Sequence, residues 1–135
     1  MSRRFLLSYQ WLTGLSDTAT GIVLCITPAF ALRMMRLTVP ADALPYVAYI
    51  GAFVFSVGLS GVCGAVLMHR RAPAPALEVV WLLTAFARAS VAVFVVKAVL
   101  VGQLENGWIL VAAFDGACVV FQGIGLRQRW LVDEA

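Results

Sequence analysis

The chain has 135 residues, of which 62% are hydrophobic and only 13% charged, and its mean hydropathy is +0.93. Soluble domains carry about a quarter charged residues, so a water-soluble fold of this size is excluded and the class is an integral membrane protein, one domain over residues 1–135. The net charge of +3 is small and its basic residues sit mostly at segment ends, which excludes a nucleic-acid partner and makes them topology signals.

The first apolar segment covers about 5–30. At ~1.5 Å per residue it exceeds a hydrocarbon core of about 30 Å. Arg3 and Arg4 precede it, and Ala29-Phe30-Ala31 imitates a cleavage site, but its length and Asp17 favour a retained span over a signal peptide. Gln10, Thr13, Gly14, Asp17, Thr20, Gly21 and Cys25 recur at helical spacing and form one polar or small stripe, expected to face protein. Leu6, Leu12, Leu15, Ile22, Val23 and Ile26 form the opposite, lipid-facing side. Pro28 comes near the end of the segment, and Ala31 to Leu37 mixes apolar and basic residues, as an interfacial turn does. Pro40, Asp42 and Pro45 mark a loop.

The second span is expected over 44–68. Ala52, Ser56, Ser60 and Gly64 recur there every four residues, with Gly61 and Ala65 extending the pattern beside them, and form a close-packing seam, either within the bundle or between protomers. His69, Arg70 and Arg71 make a basic turn, with His69 an interfacial residue and not a metal or haem ligand, for want of partners. The third span is expected over 76–100. Glu78 stands in its first turn, within reach of Arg70 or Arg71 as an interfacial salt bridge, Arg88 near its middle, and Lys97 near its far end. A polar turn leads to the fourth span, over 108–126, whose inner face comprises Val111, Ala112, Asp115, Cys118, Val119 and Gln122. Arg127, Arg129, Asp133, Glu134 and Ala135 close the chain with a polar end.

The short turns predict an all-α, four-transmembrane-helix, up-and-down bundle. Arg3, Arg4, Arg70, Arg71, Arg127 and Arg129 fall on one side, against Arg33, Arg36 and Lys97 on the other, which places both termini in the cytoplasm. An unpaired charge at the bilayer centre costs about 2.5–3.5 kcal/mol on insertion scales. Asp17, Arg88 and Asp115 are therefore expected to meet at similar depth as a buried polar network. Such a network is either a proton or substrate site or an ion pair that fixes helix arrangement. Cys25, Cys63 and Cys118 lie in separate segments with no CxxC, so they are read as packing residues. No residue is assigned a catalytic or metal-binding role, and no cofactor fingerprint is present.

Gly14, Asp17 and Gly21, the run Pro28-Ala29-Phe30-Ala31-Leu32-Arg33-Met34-Met35, the stretch Tyr49-Ile50-Gly51-Ala52-Phe53, and Glu78, Trp81 and Arg88 together resemble small four-span bacterial membrane proteins of the DoxX-like group. The resemblance covers most of the chain and implies a four-helix bundle in the bacterial inner membrane. Members of that group are tied to thiol, sulfur or quinone metabolism, and the missing cysteine pair departs from a thiol-redox role. The expected function is that of a non-enzymatic accessory or assembly subunit, its partners being the lipid bilayer and other membrane subunits or further copies of itself. A small proton-coupled transporter or channel is the alternative, and a quinone- or thiol-linked oxidoreductase component the third.

Overall fold

The structure, a computed structural model, describes residues 2–132; Asp133, Glu134 and Ala135 of the polar end lie outside the described residues. The described residues form α1 Arg3–Ile26, α2 Pro28–Met34, α3 Leu44–His69, α4 Ala74–Leu100 and α5 Ile109–Arg127, with no strand among them. Single 3₁₀ turns at Ala41–Ala43 and Asn106–Trp108 lead into α3 and α5. Three stretches, Ala41–His69, Ala74–Leu100 and Asn106–Arg127, are long and apolar enough to cross a membrane. The chain clusters into two compact units, Arg3–Val66 and Leu67–Ala135 with Met1–Ser2.

The first segment is not the continuous helix over 5–30 that its hydropathy suggests. It breaks at Thr27, whose backbone (φ −137°, ψ 62°) leaves the helical region before Pro28 opens α2. Proline disfavours a helical conformation in the residue before it and has no N–H to continue the ladder, yet suits the first position of a new helix. Thr27 O starts that helix by accepting from the Ala31 N–H at 3.1 Å. The expected interfacial turn is the end of α2 and its cap, with Leu32 and Leu37 both buried.

In the Arg3–Val66 unit, α1 and α3 meet backbone to backbone. A Cβ on Gly14 would stand 2.7 Å from Val62 N, and one on Gly51 2.7 Å from Leu24 Cβ. Gly21 lies against the Phe55 backbone and Gly58 against the Thr18 N–H, both too closely to admit a side chain. The Gln10 amide reaches across and donates to Gly61 O at 3.1 Å. On α1 the expected stripe is buried at Gln10, Thr13, Gly14, Asp17 and Gly21, whereas Thr20 and Cys25 are exposed. Leu6, assigned to the lipid side, is instead fully buried.

The internal seam on α3 is therefore not the expected one. Ala52, Ser56 and Ser60 are exposed, and only Gly64 of that set is buried. The Ser56 and Ser60 hydroxyls donate to the carbonyls of Ala52 and Ser56 on their own helix, each at 2.9 Å. Close approach falls on Gly51 and Gly58 instead, and on Gly61 of the adjoining expected pair, whose other member, Ala65, is fully buried. A glycine surrenders no side-chain volume at all, while a serine with its hydroxyl bonded back to its own helix is content facing outward.

Four helix ends share one cap. After α2, α3, α4 and α5 the chain turns through a left-handed residue: Arg36, Arg71 and Arg129 (each φ 56°) and Gly102 (φ 72°). The hydrogen bonds of the Schellman motif accompany each, as in Arg71 N–H to Met68 O at 3.1 Å and Ala72 N–H to Leu67 O at 2.9 Å. The left-handed conformation costs a side-chain-bearing residue roughly 1–2 kcal/mol and glycine almost nothing. Arginine does bring a cation to the negative helix end, worth about 0.3–1 kcal/mol. Arg71→Gly is accordingly expected to raise stability by about 1 kcal/mol. Gly102→Ala, where an added Cβ meets nothing within 4 Å, should lower it by a similar amount through the backbone alone. Thermal unfolding in detergent measures both.

Candidate functional site: the polar ladder of the helical hairpin

In the Leu67–Ala135 unit, α4 and α5 form an antiparallel hairpin, since contacts that advance along α4 retreat along α5. Trp81 packs over Gly125, Thr84 pairs with Gln122, and Arg88 pairs with Asp115. Pro73 caps α4, with Pro75 in its first turn, where missing N–H groups do no harm.

Arg88 stands near the middle of α4 and is 6% exposed; its Nη1 donates to Asp115 Oδ1 at 2.6 Å. Its guanidinium carbon lies 5.4 Å from the centre of the Phe114 ring, so the cation is held by a carboxylate and an aromatic face together. One turn back along α4, the Thr84 hydroxyl donates to Val80 O at 2.8 Å and accepts from the Gln122 amide at 2.9 Å. Gln122 is buried, and its Oε1 has no partner among the described residues. A further turn back, Trp81 is 1% exposed and forms an aromatic cluster with Phe121 (6.0 Å between ring centres), which in turn meets Trp130 (5.4 Å). Gly125 permits this, because a Cβ there would stand 2.5 Å from Trp81 and 2.7 Å from Trp130.

The expected inner face of the last segment is buried at Ala112, Cys118 and Gln122. Asp17 is buried on α1, in the other unit. Thr84 joins the site unannounced by any charge or motif, its only signal being that it lies four residues before Arg88 and hence on the same helical face. His69 is the last residue of α3 and is exposed. Glu78 departs from expectation: among the described residues it makes no ion pair with Arg70 or Arg71. The connection of α3 to α4 turns through left-handed Arg71, so the directions of these side chains are set by the cap and not by helical spacing.

Compared with protein-family models, with curated proteins and with solved structures, the chain matches none. Function is therefore read from the site itself.

Among the recesses of the hairpin are two with distinct linings. One, of about 560 Å³, is lined by Ala92, Val93, Val96, Leu100 and Ala112, with Lys97. The other, of about 590 Å³, lies against the first turns of α4 and the end of α5. Neither is lined by Arg88 or Asp115. Among the described residues no three His, Cys, Asp or Glu side chains converge as a metal site would require. The free thiols Cys25 and Cys63 are exposed and Cys118 is buried.

Proposed function

We propose that the protein is a non-enzymatic accessory or assembly subunit of a larger membrane complex, built as a four-span bundle in the bacterial inner membrane with both termini cytoplasmic. The observation that carries this reading is the Arg88–Asp115 pair: it is held at 2.6 Å, lies beside the Phe114 ring, and lines neither of those two recesses. A charge pair so held serves helix arrangement better than transport. α1 is proposed as the fourth span. Its average hydropathy is lowered by Gln10, Thr13 and Asp17, but these are buried, while Leu12, Leu15, Ile22 and Ile26 are exposed. Lipid meets only the outward face, so averaging over both faces understates the tendency of this helix to insert. The DoxX-like resemblance points to the same architecture.

The exposed line of Ala52, Ser56 and Ser60 on α3 suits a partner helix, because small residues allow backbones to approach. A photo-crosslinking side chain at Ser60 should join the protein to one membrane subunit in stoichiometric yield, and that subunit's complex should fail to assemble when the protein is deleted. Proton flux into liposomes that is lost in Asp17→Asn would instead establish a transporter and sink the subunit reading.

A further inference from the structure

The recess at the end of the α4–α5 hairpin holds two opposite charges, Glu78 and Arg129. Glu78, half-buried in the second turn of α4, and Arg129, exposed just beyond α5, both line it, and neither side chain is paired among the described residues. Leu82, Leu126 and Val132 supply apolar wall. The position of Arg129 is set by its cap: its left-handed backbone donates to Leu126 O at 3.2 Å, and its carbonyl accepts from the Val132 N–H at 3.0 Å. A glycine would cap the helix there with less backbone strain, so arginine contributes its charge to this recess against its own conformational preference. The stretches that begin at Ala74 and end at Arg127 are the candidate spans, which puts the recess at the level where a membrane passes from hydrocarbon to headgroups.

We infer that this recess is a binding site for the headgroup of an amine-bearing zwitterionic phospholipid, phosphatidylethanolamine. The phosphate lies against Arg129, the primary ammonium against Glu78, and the acyl chains descend along Leu82 and Leu126. Charge complementarity selects this lipid. A choline headgroup carries the same charge but no N–H donor, so its methyl groups keep it from hydrogen-bonding a carboxylate. A phosphatidylglycerol headgroup offers nothing cationic to Glu78.

This inference rests on the reading of α4 and α5 as membrane spans, and the two can fail separately. Native mass spectrometry of the whole protein, released from micelles containing equimolar dioleoyl phosphatidylethanolamine, phosphatidylcholine and phosphatidylglycerol, reads the selection directly. The ethanolamine adduct should exceed the choline adduct about fivefold, the scale of one partly exposed ion pair. Glu78→Gln should bring the two to parity. Arg129→Gln should reduce both, and Arg129→Lys should restore them. Equal adducts on the wild-type protein, or a preference that survives Glu78→Gln, would overturn the site while leaving the membrane reading intact. Displacement by inorganic phosphate regardless of residue 78 would reassign the recess to a bare anion and overturn it also. Release of the protein from membranes by alkaline carbonate would overturn the membrane reading, and the lipid site with it.

Discussion

Gly58→Ala should lower the stability of the protein by roughly 3 kcal/mol, at the upper end of what overpacking usually costs. The added methyl would collide with the Thr18 N–H and stand 2.7 Å from the Asp17 carbonyl carbon. Both are backbone atoms of α1 and have no rotamer into which to retreat. The helices would have to separate, and the Gln10 bond to Gly61 O would lengthen with them. Against a typical total of about 5–15 kcal/mol, a loss of this size is readily measured. Gly123→Ala on α5 is the matched control. Nothing lies within 4 Å of its added Cβ, so the better helix propensity of alanine should raise stability by up to about 1 kcal/mol. Thermal unfolding of the two variants side by side in one detergent tests the pair, and equal effects would show that α1 and α3 do not rely on glycine contact.

The second large effect concerns Arg88 and Asp115. Either Arg88→Met or Asp115→Leu alone should destabilise by about 3–5 kcal/mol, because each removes one side of this buried ion pair and leaves the opposite charge to be desolvated without it. The double variant should recover most of that loss, since two apolar side chains of similar volume need no compensation in a low-dielectric interior. The comparison also separates structure from chemistry. A double variant that folds and still joins its complex shows that the pair orders helices. One that folds but no longer supports the biological role shows that the charges themselves are used. Phe114 complicates the arithmetic only slightly, because its contact with the guanidinium is worth about 0.5–2 kcal/mol and vanishes in both Arg88 variants.

Much of this architecture can be read from residue order. Long apolar runs must become helices, because an unpaired backbone polar group has no solvent in hydrocarbon. The face of α1 that carries Gln10, Thr13, Gly14, Asp17 and Gly21 follows from a period of 3.6, and those residues are buried. Placing Asp115, Cys118 and Gln122 on one side of α5 follows from the same arithmetic. Hydropathy alone, however, overran the break at Thr27 and Pro28, because it averages composition and takes no account of a missing N–H.

What residue order leaves open is which of several adjacent faces a helix uses. On α3, small residues occur on two neighbouring lines, and four-residue spacing favoured Ala52, Ser56 and Ser60. Contact with α1 chose Gly51, Gly58 and Gly61, because at each of them the α1 chain, at Leu24 and Cys25, at Asp17 and Thr18, and at Gly14 respectively, stands too close to admit a Cβ. The left-handed arginines are likewise invisible beforehand: local preference calls for glycine at Arg36, Arg71 and Arg129, and only the cap bonds to the preceding helix hold arginine there. Glu78, an expected partner of Arg70 or Arg71, instead lines one recess together with Arg129. Composition and periodicity determined that the chain is helical, apolar and charged within its core. Tertiary structure decided which charge meets which, because a 2.6 Å contact between residues 27 positions apart depends on how two helices are rotated against each other, and helical period alone does not set that rotation.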